Sequence, residues 1–182
     1  AQYYGGHRRG NPPHHYWQND PQNHHRWHRN SGMTLPRLAA YTGEPEQAWM
    51  LDKLKEELAF IHKWLPHDGT SHEGSSYLVF GGNYLALAFD AADRCLGTDY
   101  LSHAFFENIG YFRLLSLTSD MQGVLPFGDN PQGGFGGYSN FFFLGAALNE
   151  QDKVMARLRK FEELNPRATW LGWFSLLWDD PD

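Results

Sequence analysis

Cysteine is almost absent from this chain. Cys95 is the only one, so no disulfide can close within it, and a lone thiol says little about compartment, since many exported proteins also lack disulfides. Its helical core spacing predicts a buried thiol rather than a nucleophile. No apolar run reaches the ~18 residues that a membrane helix needs. A long Lys/Arg run is also missing, and the pI is near 5.9, which argues against a general nucleic-acid binder. β-Branched residues are scarce and no segment alternates in polarity, so a sheet is not expected. No signal-peptide pattern is present and the chain starts at Ala1, which reads as numbering that begins inside a longer precursor.

Rings are plentiful. The 182 residues suit one domain, and 16% of them are aromatic, with 7 Trp, 9 Tyr and 13 Phe. Such a content predicts a core and a cleft built from rings. Charge is unevenly spread. Six of the 10 histidines fall between His7 and His28, with Arg8, Arg9, Arg26 and Arg29 against the single acid Asp20. The first 30 residues therefore carry +3 and the rest −9, giving the net −6. Cations, imidazoles and rings in one stretch suit an anionic, ring-shaped substrate. A disordered polar arm is the plainer alternative.

Residues 1–30 read as a basic, aromatic, substrate-side loop, broken by Gly5-Gly6, Pro12-Pro13 and Asp20-Pro21. Residues 31–182 read as an α-hairpin domain. A first helix is expected over Gly32–Tyr41, started late or kinked by Pro36. Pro45 opens a second, in which Leu51, Leu54, Leu58, Ile61 and Leu65 share one face. A third lies within Ser75–Leu96, with Tyr77, Phe80, Tyr84, Leu87 and Ala91 on one side. Gly97 ends it, and Thr98 or Asp99 caps a fourth that runs to about Leu117. A Gly-rich connection over Gly123–Gly137 follows, where Phe135 and Tyr138 offer stacking faces. Two more helices span Tyr138–Leu148 and Glu150–Leu164, and a Trp-rich one spans Trp170–Trp178. The fold class is all-α, antiparallel α-hairpins forming part of an α/α toroid.

The most specific string is Asp68-Gly69-Thr70-Ser71-His72-Glu73-Gly74-Ser75-Ser76-Tyr77. On a helix starting near His72, Glu73 and Tyr77 share a face. Nearby cations can lower a phenol from its usual pKa of ~10. Taken alone, Tyr77 is more simply a core ring with a satisfied hydroxyl.

Together, Asn23-His24-His25-Arg26-Trp27 and the later Asp68-Gly69 and Glu73-Gly74-Ser75-Ser76-Tyr77 resemble the heparinase II/III-type polysaccharide lyases. They also resemble the related dermatan-sulfate epimerase and alginate-lyase-like proteins. Phe127-Gly128-Asp129 and Trp173-Phe174-Ser175-Leu176-Leu177-Trp178-Asp179 are similar to that group's last toroid hairpins, ahead of a β-sandwich. The resemblance spans about residues 20–180.

It implies β-elimination on a uronic-acid-containing acidic polysaccharide. His24 and Tyr77 would divide the roles of base and acid, with His25 the next choice for the histidine and His28 a third. Asn23, helped by Arg26, would neutralise the uronate carboxylate as charge develops. Trp27, Glu73, Asp129 and Tyr138 would bind or orient. No cofactor is implied in this segment; a divalent metal would belong to the β-sandwich, which is missing here. That domain, or a partner subunit, would cover Trp170, Trp173, Phe174 and Trp178. The resemblance also implies a secreted or periplasmic setting, with neither nucleic acid nor membrane as partner.

Three other readings stand beside this one. A uronate C5-epimerase would use the same groups while keeping O4 in place. An α/α-toroid glycoside hydrolase would need two carboxylates, for which Asp68, Glu73 and Asp129 are available. A non-catalytic glycan-binding module would use Trp27, Trp173 and the arginines. Zinc at His24 and His28 has no His-Glu-x-x-His pattern and no nearby cysteine to support it.

Overall fold

The computed structural model describes residues 19–128, 140–165 and 178. Among the described residues the chain is helical, with one isolated bridge between Leu117 and Val124. Six helices follow in order: α1 His24–Ala40, α2 Ala48–Lys63, α3 Ser75–Leu96, α4 Ala104–Leu115, α5 Asn140–Leu148 and α6 Asp152–Leu164. The all-α expectation holds.

The central packing is α1 on α3, with α2 against α1 and the α4–α5–α6 group alongside. The expected stripe on α2 is present: Leu54, Leu58 and Ile61 are fully buried, and Leu65 follows just past the helix. They meet Trp27 of α1, Leu78, Leu85 and Phe89 of α3, and Phe105, Phe106 and Ile109 of α4. Burying such side chains contributes roughly 1.5–3 kcal/mol each. Arg113 is buried with them, its guanidinium 5.5 Å from the Phe142 ring and 5.0 Å from that of Phe161. Burial pulls its pKa down to about 10.

Several boundaries differ from expectation. α1 starts at His24, not Gly32, and runs through Pro36 to Ala40, crossing the expected division at residue 30. Pro36 lacks the N–H that Gly32 would accept, but Gly32 is exposed, so water can serve that carbonyl. The core face of α3 is Leu78, Leu85, Phe89 and Ala92, while Phe80 is exposed and Tyr77 and Tyr84 are half-buried. Cys95 is exposed, on the solvent side of the last turn of α3. Trp178 is buried within this chain's own core cluster, so it needs no partner to cover it. Trp170, Trp173 and Phe174 lie outside the described residues, as does the rest of the expected Trp-rich helix.

The cap of α4 is also not the one expected. Asp93 on α3 accepts from Thr98 Oγ1, Tyr100 N and Leu101 N, which fixes a 3₁₀ turn at Tyr100–Ser102. The cap position then falls to His103, whose Nδ1 accepts from Phe105 N at 3.0 Å. An imidazole can do this only when that nitrogen is unprotonated. His103 also touches the rings of His62 (4.7 Å) and His67 (4.8 Å), and Asp93 and Asp99 lie near His62. Burial, then the two neighbouring histidines, pushes His103 down to about 4.

The sign follows from proton binding. Between the ordinary histidine value of ~6.5 and the native value, the unfolded chain takes up a proton that the native chain refuses. Stability should therefore fall as pH drops through that window. We expect the urea midpoint to decrease between about pH 7 and about pH 4.5, and His103→Ser, which keeps a capping oxygen, to flatten the decrease. An equal slope in the variant would exonerate His103.

Candidate functional site

Two tight turns meet in front of α1 and α3. In the first, Asp20 Oδ1 accepts from Gln22 N, and Trp27 Nε1 donates to the Pro21 carbonyl at 2.8 Å. In the second, Glu73 N donates to Ser71 Oγ and Gly74 N to the Ser71 carbonyl. His72 Nε2 lies 3.1 Å from Asp20 Oδ2 and bridges the two turns. Asp20 raises the pKa of His72, and His72 in turn helps lower that of Asp20 against the opposing effect of burial. Both side chains are partly exposed, so the pair contributes only about 1 kcal/mol or less.

The stronger link is Glu73, whose carboxylate is tucked beneath the start of α1. Its Oε1 accepts from Asn23 Nδ2 at 2.7 Å and lies 3.0 Å from His24 Nδ1, while Oε2 accepts from His24 N at 2.7 Å. A carboxylate there also complements the positive end of the helix. Asn23 Oδ1 accepts from His25 N, making Asn23 the cap of α1.

Glu73 can reach this position because Gly74 takes a backbone conformation, φ 85° and ψ 175°, that is essentially confined to glycine. A Cβ there would come within 2.6 Å of the Phe127 carbonyl oxygen. Gly81, one turn and a half into α3, lets the helices close. A Cβ at this position would lie 2.9 Å from both His24 Cβ and Trp27 Cε3.

The result is a ladder of rings along the α1–α3 seam. His24 stacks on Tyr77 at 4.1 Å with only 12° between the planes, and the His25 ring is 4.1 Å from His24. One turn along, His28 stacks on Phe80 at 4.1 Å and lies 3.9 Å from Tyr84. His28 Nε2 is 3.2 Å from the Phe80 carbonyl, which only a protonated Nε2 can donate to. Burial lowers the pKa of His28, and burial together with His24 lowers that of His25.

Of the sequence candidates, Asn23, His24, His25, Glu73 and Tyr77 come together, with His24 buried at 5% exposed and His25 exposed beside it. Three expectations need correcting. Arg26 does not face outward: it is buried, 2.7 Å from Glu57 Oε2 and 4.7 Å above the Phe60 ring, tying α1 to α2. Arg29 also reaches Glu57, at 3.4 Å. Trp27 is 1% exposed and offers no face to a ligand; it holds the Pro21 turn and the core. Asn23, 2% exposed, has its oxygen on the helix cap and its nitrogen on Glu73, so it positions others rather than meeting a carboxylate. Asp129 and Tyr138 lie outside the described residues. Phe80 and Tyr84, expected on one side of α3 together with Tyr77, lie against the histidines of α1. The matching His24/His28 and Tyr77/Phe80/Tyr84 spacings were the signal that two helices share these rings.

If Arg26 is structural, Arg26→Met should lower stability by roughly 1–2 kcal/mol, moderated by the contacts that Glu57 keeps with Arg29 and water. KM for any acidic substrate should stay unchanged. A KM several-fold higher at unaltered stability would return Arg26 to the substrate side.

Among the described residues no three His, Cys, Asp or Glu side chains are grouped as metal ligands, and no helix is long and apolar enough to cross a membrane. The chain was also compared with known proteins. No protein-family model, curated protein or solved structure matches it.

Proposed function

We propose that this chain is part of a polysaccharide lyase that cleaves a uronic-acid-containing polysaccharide by β-elimination, on a scaffold of antiparallel helices belonging to an α/α toroid. The observation that carries the reading is the His24 imidazole, held by Glu73 at Nδ1 and stacked on Tyr77. With Nδ1–H donating to the carboxylate, the neutral ring keeps a lone pair on Nε2. Base and phenol then lie side by side in a fixed orientation, the triad logic of an oriented base generalised to a carbon acid.

One of the pair removes the proton from C5 of the uronate. The C5–H electrons form the C4=C5 double bond, the C4–O4 bond breaks, and the departing O4 takes a proton from the other group. Glu73 fixes the tautomer and orientation of His24 and itself touches no substrate. Asn23 fixes Glu73. Reprotonation of C5 from the opposite face, with O4 retained, would give the epimerase outcome from the same groups.

The glycoside-hydrolase alternative has less support, because two of its three candidate carboxylates are engaged, and the third, Asp129, lies outside the described residues. Glu73 holds Asn23 and His24, and Asp68 accepts from Thr70 N and Oγ1. The reading calls for no cofactor in this segment. It also carries a β-sandwich domain or partner subunit outside the chain and a secreted or periplasmic setting.

The test is ultraviolet absorbance of the unsaturated uronate during incubation with a panel of alginate, heparan, chondroitin and dermatan polymers. A rise with any of them supports elimination. New reducing ends without absorbance would mean hydrolysis, and C5 exchange with solvent deuterium without chain cleavage would mean epimerisation.

A further inference from the structure

We propose that Phe80, backed by His28 and Tyr84, is a stacking subsite for the sugar ring next to the uronate, so that the glycan runs along the α1–α3 seam. This rests on the lyase reading for the identity of the polymer and goes beyond it in assigning a second binding position.

Three observations support it. First, Phe80 does not serve the core: it is 39% exposed, whereas the core side of α3 is Leu78, Leu85 and Phe89 at 1% or less. An exposed ring beside a candidate site is the usual means of gripping a ring-shaped ligand. Second, the ring is held in place beforehand. His28 stacks on it with 24° between planes, Tyr84 packs edge-on at 6.3 Å, and the Phe80 carbonyl is joined to His28 Nε2. A ligand meeting a fixed ring loses less freedom than one that must order it.

Third, the platform continues the site. His24 stacks on Tyr77 and also meets Phe80 edge-on at 6.0 Å. Tyr77 and Phe80 are separated by about 4.5 Å along the helix axis, and Tyr77 and Tyr84 by about 10 Å. That rise suits successive pyranose units laid along the helix. Burial lowers the pKa of His28, which disfavours a charge on the platform. The platform therefore favours the apolar C–H face of a sugar over its carboxylate, and Arg26 and Arg29, both directed at Glu57, do not contradict that preference.

The experiment uses size-defined uronate oligosaccharides, from disaccharide to octasaccharide, with turnover by absorbance and binding by calorimetry. Phe80→Ala, checked for intact helicity by circular dichroism, should raise KM and Kd roughly three- to tenfold for the longer oligosaccharides. The shortest ones and kcat should be nearly untouched, and Phe80→Trp should restore the wild-type KM. Unchanged KM and Kd in Phe80→Ala would overturn the subsite even where Tyr77→Phe abolishes turnover. Weakened binding in Phe80→Ala, in a protein that eliminates nothing, would keep the subsite and refute the lyase. A wild-type protein that binds none of these oligosaccharides would overturn both.

Discussion

Tyr77→Phe should reduce turnover by a factor of ~10² or more, because it removes the one ionisable atom of a ring that otherwise stays in place. Stacking depends on the ring, so the 4.1 Å contact with His24 survives the change. Binding of acidic oligosaccharide, followed by calorimetry, should move little. His24→Ala should cost a similar factor. The double variant should lose less than the product of the two, since a base and an acid acting in one step are not independent. Thermal melts of each variant separate a chemical loss from an unfolded fraction. Near wild-type turnover in Tyr77→Phe would leave Tyr77 as a structural ring.

The second large effect concerns Gly74. Gly74→Ala forces a side chain into a backbone region it avoids, at a cost of about 1–3 kcal/mol, and drives its Cβ toward the Phe127 carbonyl. The combined penalty should reach ~3 kcal/mol or more, lowering Tm by roughly 6–12 °C. Gly97 provides the control. It too has positive φ, 66°, but nothing lies within 4 Å of its would-be Cβ. Gly97→Ala should cost only about 1 kcal/mol and roughly 2–4 °C. Gly74→Ala should also displace Glu73 and so lose turnover beyond what its stability explains. Equal melting temperatures in the two variants would show that the 73–74 turn is not constrained by Phe127.

Long-period features were legible in the sequence because they are local. The Leu54-Leu58-Ile61 stripe and the limits of Ser75–Leu96 follow from spacing and a terminal glycine. The start of α1 was not, because Asn23 and His24 are held by an acid fifty residues away, and no window around residue 24 contains Glu73. Residue type was equally misleading for Arg26 and Trp27. A cation and an indole beside histidines suggest a ligand surface, yet Glu57 and the Pro21 carbonyl supply both with partners inside the fold. His103 took the cap of α4 for a similar reason: Asp93 had already engaged Thr98 and the 3₁₀ turn. Asn23, His24, Glu73 and Tyr77 were grouped from the sequence because their order in the chain matched a resemblance, and the structure brings these four together. Seeing which of them are tied up in holding others required coordinates.

The missing side chain at Gly81 sets how this site would respond to heat. His24 and Tyr77 meet on the facing sides of two packed helices, brought together where no Cβ intervenes, rather than on loops that can melt separately. Loops commonly open well below the global transition, whereas packed core helices open only with it. The contact between His24 and Tyr77 therefore depends on the first turns of α1 and α3 and on the Glu73 turn that holds His24. Its alignment persists for as long as α1 remains docked on α3 and Glu73 keeps its hold on His24.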